Sequence, residues 1–261
     1  MAVDQMTEKT EKVPMIGLAE QESWNLAIAH KWADFMTTLR VPRSGIAVEV
    51  APGDTNKIGK ALELYGFTGR LYVIEPNQRA LESITSQYRE SLKGVDVVPV
   101  GMTLGDSSRK VLPKSLDLVL ANHPLDDMIL GTWLHKLEGK EFEHYFDVLY
   151  AKFPNKTIAN WEAITSDAKL LREIQEGVLN EWKDLFCNNH PHWTLISQYK
   201  SYFFQSRGVY APDEEAKKVL GELKGMKLDH RSYSSDLTPY YTERLKMNLE
   251  DPERWAFLKT A

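Results

Sequence analysis

Short apolar runs alternate with amphipathic stretches along most of the chain. Ile46–Val50, Arg70–Ile74, Val95–Val100 and Ser115–Ala121 are compact runs rich in β-branched residues, and each reads as a strand buried on both faces. Between the first two, Ile58, Ala61, Leu62 and Tyr65 recur at helical spacing. Gln78–Ser91 repeats that pattern through Leu81, Ile84 and Tyr88, and Asp126–Leu137 follows the fourth run. Strand and helix in alternation predict an α/β unit around a mostly parallel sheet. Ahead of it, Glu20–Leu39 places Trp24, Ile28, Trp32 and Phe35 near one helical stripe.

Beyond the fourth strand the pattern loosens. Phe142, Tyr145, Phe146, Tyr150 and Phe153 cluster as a lid or an interface, the latter leaving room for a homodimer. The stretch PNKTIANWEAITSD reads as irregular, and a charged amphipathic helix is expected from about Ala163 to Phe186. His192–Phe204 reads as a fifth strand with an extension, Asp213–Leu223 as a crossover helix, Met226–Tyr233 as a sixth strand and Trp255–Thr260 as a seventh. The spacing between strands four and five exceeds what one crossover needs, so about 138–190 is read as an insertion. The expected organisation is a tail and cap helix over 1–40, then one domain over 41–261.

Composition narrows the setting. The 261 residues carry 32 basic and 37 acidic side chains, a formal charge of −5, which argues against a broad phosphate-binding surface and hence against a nucleic-acid partner. The single cysteine, Cys187, excludes an internal disulfide and suits a reducing compartment. No apolar run is long enough to span a bilayer, and the polar start MAVDQMTEKTEK lacks the order of a signal peptide. A cytoplasmic protein with no membrane partner is the expectation. Cys187, His190 and His192 lie close in sequence, but three ligands without a fourth make a weak metal motif, and no metal is expected.

Candidate chemistry gathers at the ends of the strands. Glu49 lies within the first run, and Ala51-Pro52-Gly53-Asp54-Thr55 forms a turn with Asp54 or Thr55 available to cap the next helix. The second run ends on Glu75-Pro76. Open α/β sheets bind ligands outside the carboxyl ends of their strands, where an acid can accept both hydroxyls of a ribose. Glu75 is therefore the leading single residue. The fourth run ends on Asn122-His123-Pro124-Leu125, followed by Asp126 and Asp127.

These features resemble the class I S-adenosylmethionine-dependent methyltransferases: an acid on the first strand (Glu49), a glycine-bearing turn (Gly53), an acid ending the second strand (Glu75), and a polar motif ending the fourth. The glycine-rich turn of that family is reduced here to Gly53 between Ala51 and Thr55. The resemblance covers about Ile46 to Leu137. It implies a Rossmann-like sheet of seven mostly parallel strands with flanking helices, an N-terminal helical cap and the insertion between strands 4 and 5. It also implies S-adenosyl-L-methionine as cofactor, with Glu49, Ala51, Gly53, Asp54, Thr55, Glu75, Pro76, Met102, Thr103 and Asn122 around it.

Asn122 and His123 would then face a small-molecule methyl acceptor, nitrogen slightly ahead of oxygen. Two roles are open for His123: general base, or hydrogen-bond donor to cofactor or backbone. Asp126 is a candidate for binding a substrate amine, with capping of the helix as the competing role. Trp24, His30, Tyr199 and Tyr202 are candidates for the substrate wall, against packing roles for each. Three other functions stay in view. An aminoalkyl transferase would use the same cofactor pocket, and a non-catalytic regulatory protein would only bind the cofactor. A nicotinamide enzyme would want G-x-G-x-x-G, which the chain lacks.

Overall fold

The computed structural model describes residues 18–138, 154–226, 234–236 and 252–260. Six strands of six or seven residues build the sheet: β1 (Ser44–Val50), β2 (Thr68–Ile74), β3 (Val95–Val100), β4 (Leu116–Asn122), β5 (Pro191–Ser197) and β7 (Trp255–Thr260). A three-residue stub, β6 (Ser234–Asp236), extends one edge. The order is β3-β2-β1-β4-β5-β7-β6. Strands β1 to β5 pair in parallel, while β7 runs antiparallel to both β5 and β6.

Alternation along each strand sorts side chains onto two faces. Ala47, Leu71, Val73, Leu118, Leu120, Leu195 and Phe257 meet Ile28, Trp32, Phe35, Ile58, Leu62 and Ile84. These last come from α1 (Leu18–Leu39), α2 (Lys57–Tyr65) and α3 (Gln78–Ser91). On the other face, Val48, Val50, Ile74, Val119, Ala121 and Ile196 meet Leu104, Ile129, Ile174, Trp182 and Val219. Those belong to α4 (Leu104–Lys110), α5 (Leu125–Glu138), α7 (Ala168–Asn189) and α9 (Ala211–Lys224). The result is three layers, helices on both faces of one sheet.

α1 is largely a member of this core: Trp32 and Met36 are wholly buried, and the helix packs against α2. At the start of β1 the sheet tightens. Gly45 pairs with Gly69 at φ values of 123° and 126°, and a Cβ on Gly69 would lie 2.3 Å from the Gly45 carbonyl oxygen. Only glycine fits there.

Several elements differ from the sequence pattern. Pro154–Ser166 forms a helix, α6, which buries Trp161 and Ile164. A leading proline is compatible with that, because the first amides of a helix have no partner to lose. The helix expected from Ala163 breaks at Asp167, whose carboxylate accepts from the Lys169 and Leu170 amides and starts α7. β5 stops at Ser197, short of Phe204, because Gln198 turns its amide side chain into the Leu125 amide and Asp126. Residues Tyr202–Gln205 then form a short helix, α8. The cap of α2 is Asn56 in place of Asp54 or Thr55, and Thr103 caps α4. The Phe142–Phe153 aromatics lie outside the described residues, as does the strand expected over Met226–Tyr233 apart from Met226. Among the described residues no helix is long and apolar enough to cross a membrane.

Candidate functional site

The strand order reverses beside β1: from β1 the chain works outward to β3, then returns to place β4 on the other side of β1. A crevice opens at the carboxyl end of such a switch. There the Ala51 amide donates to the Ile74 carbonyl at 2.9 Å, and Ala51 and Gly53 both take left-handed φ values, 50° and 61°. The turn they make brings the Gly53 N–H to Glu75 Oε2 at 3.2 Å, while the Asn77 N–H donates to Glu75 Oε1 at 3.0 Å. Glu75 is 5% exposed. Burial pushes its carboxyl up to about 7, against the lowering effect of those two amides. A carboxylate offers about four acceptor positions, so two remain for donors from a ligand.

Glu75 forms one side of a cavity with Val50, Ala51, Gly53, Ile74, Pro76, Thr103, Leu104, Asp127, Met128, Thr132 and Glu181. Its walls are mostly aliphatic, and its polar groups stand at the rim of β2, α5 and α7. Apolar walls beside one buried acid with acceptor positions to spare are the chemistry of a pocket for a small organic ligand.

A second group of side chains assembles on the same sheet edge, where β4 and β5 end. Asn122 Oδ1 accepts from Trp32 Nε1 at 3.0 Å and from Ser197 Oγ at 3.2 Å, and its Nδ2 donates to the Tyr199 hydroxyl at 3.1 Å. Lys57, the first residue of α2, donates to the same hydroxyl at 3.1 Å. The His123 ring lies 4.6 Å from that of Tyr199, and the indole of Trp24 stands edge-on to it at 6.0 Å. His123 itself sits at φ 61°, and its Nδ1 lies 3.2 Å from Asp126 Oδ1. Burial opposes the charge on the imidazole, but the Asp126 carboxylate overcomes it and raises the ring to about 10. A protonated imidazole has no free lone pair, and the buried Nε2 of His123 has no hydrogen-bond partner.

The comparisons with known proteins concern fold. No family model matches the chain, and no curated protein does. Among solved structures it is similar to S-adenosylmethionine-dependent methyltransferases. The methyltransferase SibL, in its apo form, is 11% identical over 93% of this chain and 56% of that one, with a TM-score of 0.44. A protein described as an rRNA methylase from Clostridium thermocellum is 13% identical over 76% and 82%, at 0.43. Aeropyrum pernix fibrillarin, with natively bound S-adenosyl-L-methionine, is 9% identical over 91% and 76%, at 0.36. The chain spans little more than half the length of SibL. The structures it resembles also include a fibrillarin/Nop5p complex and the methyltransferase domain of METTL16. The expectation of no nucleic-acid partner is corrected accordingly. Net charge measures the whole surface, and a local patch is enough to hold a polyanion.

Of the residues expected around a cofactor, Ala51, Gly53, Glu75, Pro76 and Thr103 line the cavity. Glu49 does not. It is 1% exposed on the α2 and α3 side of the sheet, with Tyr88 beside it, and burial holds its carboxyl at about 8. Asp54 is exposed and acts on Glu75 only through its charge. The Thr55 carbonyl accepts from Lys57, Met102 is exposed, and Asn122 belongs to the second cluster.

Of the substrate candidates, Tyr199 and Trp24 meet in that cluster, and His30 is exposed on α1 outside it. The Tyr202 side chain lies outside the described residues. The two acids of α5 part company. Asp126, 2% exposed, is held by Gln198 and His123 and is closed to a substrate amine, whereas Asp127 faces the cavity. Neighbours on a helix point about 100° apart, which sends one inward and one to the crevice. Lys57, Met128, Thr132 and Glu181 were not singled out by the sequence. Only helical phase marked the two on α5, and nothing local marked Lys57 or Glu181. Among the described residues no three His, Cys, Asp or Glu side chains are grouped to hold a metal.

Proposed function

We propose that the chain is an S-adenosylmethionine-dependent methyltransferase acting at nitrogen or oxygen of a small molecule. One observation carries the reading. Glu75 stands buried at the end of β2 with two acceptor positions unfilled, in an aliphatic cavity at the switch point of the sheet. These residues fit the adenosine of that cofactor, with Glu75 accepting from the ribose and Val50, Ile74, Leu104 and Met128 against the base. No pyrophosphate-binding glycine pair is needed, which suits a turn with Gly53 alone. The bound cofactor would supply a methyl group already activated by a sulfonium. The protein's part includes orienting the acceptor and excluding water, tasks that fit the Asn122, His123, Trp24 and Tyr199 cluster on the same edge.

Calorimetric titration with S-adenosylmethionine and S-adenosylhomocysteine, with NAD as control, tests the reading. Saturable binding of the adenosyl compounds alone is expected, strongly weakened in Glu75→Ala. Binding of NAD in preference would overturn it. An acceptor screen by mass spectrometry that yielded methylated RNA and no methylated small molecule would retain the reaction and replace the acceptor.

A further inference from the structure

The Tyr199 hydroxyl has an unusual set of partners. Its oxygen accepts from Lys57 Nζ and from Asn122 Nδ2, each at 3.1 Å, and both are donors that cannot take its proton. The Asn122 amide is held in this orientation by two other bonds, because its Oδ1 accepts from Trp32 Nε1 and Ser197 Oγ. That arrangement fixes which end of the amide meets the tyrosine. Two more groups stand around the ring: His123 lies 4.6 Å from it, and Trp24 meets it in a T-shaped pair at 6.0 Å. The nearby titratable groups are Lys57 from α2, His123 at the end of β4, and Asp126 and Asp127 at the start of α5, which act through His123.

Resting on the methyltransferase reading, we propose that Tyr199 is the general base of the site, a phenolate held by Lys57 and Asn122, and that the acceptor is a hydroxyl. A neutral phenol whose two lone pairs are already filled points its one proton outward; a phenolate keeps a third lone pair for a proton from the acceptor. When the acceptor oxygen attacks the methyl carbon, its O–H proton passes to Tyr199 Oη. The new O–C bond forms, the sulfonium S–C bond breaks, and that electron pair stays on sulfur as a thioether. Tyr199 returns its proton to water before the next turnover.

Electrostatics supports the geometry. Burial opposes ionisation of Tyr199, but the Lys57 charge, then that of His123, together with the hydrogen bonds from Asn122 and Lys57, bring it below the ordinary tyrosine value. The direction of this shift agrees with the two donors that fill the Tyr199 hydroxyl.

The first test needs no cofactor. Ultraviolet difference titration of the whole protein against Tyr199→Phe should show one tyrosine of the 11 in the chain ionising before the rest. Lys57→Met should move that ionisation upward. Coincident titration curves for wild type and Tyr199→Phe would overturn the inference, as would a curve unmoved by Lys57→Met in a folded variant. The second test separates base from scaffold. Tyr199→Phe should keep its affinity for S-adenosylmethionine while single-turnover transfer to a hydroxyl acceptor falls at least about 100-fold, the range of general-base catalysis. It should also lose the rise of rate with pH. Unchanged transfer in that variant would overturn the base role alone, whereas failure of the wild type to bind adenosyl compounds would overturn the methyltransferase reading and this role with it.

Discussion

Glu75 carries more of the functional argument than any other residue, and its titration makes the argument measurable. In the free protein its carboxyl is held up to about 7 by burial. Only the ionised form accepts from both hydroxyls of a diol. Cofactor binding should therefore tighten as pH rises from about 6 to 8 and then level off, with proton release on binding at the lower pH. Calorimetry in buffers of different ionisation enthalpy measures both quantities. Glu75→Gln keeps the shape and loses the charge. It should flatten the pH dependence and weaken binding by about 10- to 100-fold, since hydrogen bonds to charged groups are worth about 1.5–3 kcal/mol. A Glu75→Gln protein that bound as tightly as wild type at every pH would remove Glu75 from the ribose. Glu75 was legible in the sequence because an acid at the end of an apolar run is a local signal. The role of His123 was not, since its neighbour Asp126 sets its charge and the sequence offered Asp126 to a substrate instead.

At the level of elements, α2 decides how the first turn meets the crevice. Asn56 caps it by accepting from the Lys60 amide at 3.1 Å, and Gly66 closes it in a left-handed conformation, φ 73°. Lys57 is thereby aimed at Tyr199 from the first turn of the helix. Gly59 faces α3 so closely that a Cβ would lie 2.2 Å from Asn56 Oδ1 and 2.3 Å from the Tyr88 ring. Gly59→Ala should thus cost about 1–3 kcal/mol through overpacking and disturb the cap at the same time. Urea denaturation gives the stability, and a shift of the Tyr199→Phe-sensitive ionisation to higher pH would report the displaced Lys57. A variant as stable as wild type would show that α2 and α3 can part without cost. Helical periodicity made both helices legible, and Gly66 marked the end of α2. The cap was misplaced by one or two residues, because Asp54, Thr55 and Asn56 all have the chemistry of a cap and only the path of the turn selects among them.

Across the whole molecule, stability should decline as the solution becomes more alkaline. Glu49 is buried between the sheet and α3, and its carboxyl is raised from 4.5 to about 8. The folded protein therefore holds this proton after the unfolded chain has released it. The stability Glu49 contributes is complete below the unfolded value and is lost as pH rises through about 8. Glu75 adds the same trend up to about 7, and His123, raised from 6.5 to about 10, extends it. Glu49→Gln should remove its share, so that the melting temperatures of variant and wild type diverge in the variant's favour between about pH 5 and 8. Parallel melting curves across that range would mean that Glu49 ionises freely and that Tyr88 does not enclose it.

The sequence by itself determined the order and kind of most elements and the acid at the end of β2. Those are short-range properties: periodicity of 2 or 3.6, a breaker, a charge at the end of an apolar run. It also placed Trp32, Leu62 and Ile84 in the core, where they are buried. Tertiary structure alone decided that Asp127 and not Asp126 faces the cavity, that Pro154–Ser166 winds into a helix over Trp161, and that Glu49 turns away from the crevice. It also joined Lys57 to Tyr199 across 142 positions of sequence and Asn122 to Trp32 across 90. Such pairings arise only when the sheet has brought the ends of β1, β4 and β5 together, and no local pattern records which side chains will then share a hydrogen bond.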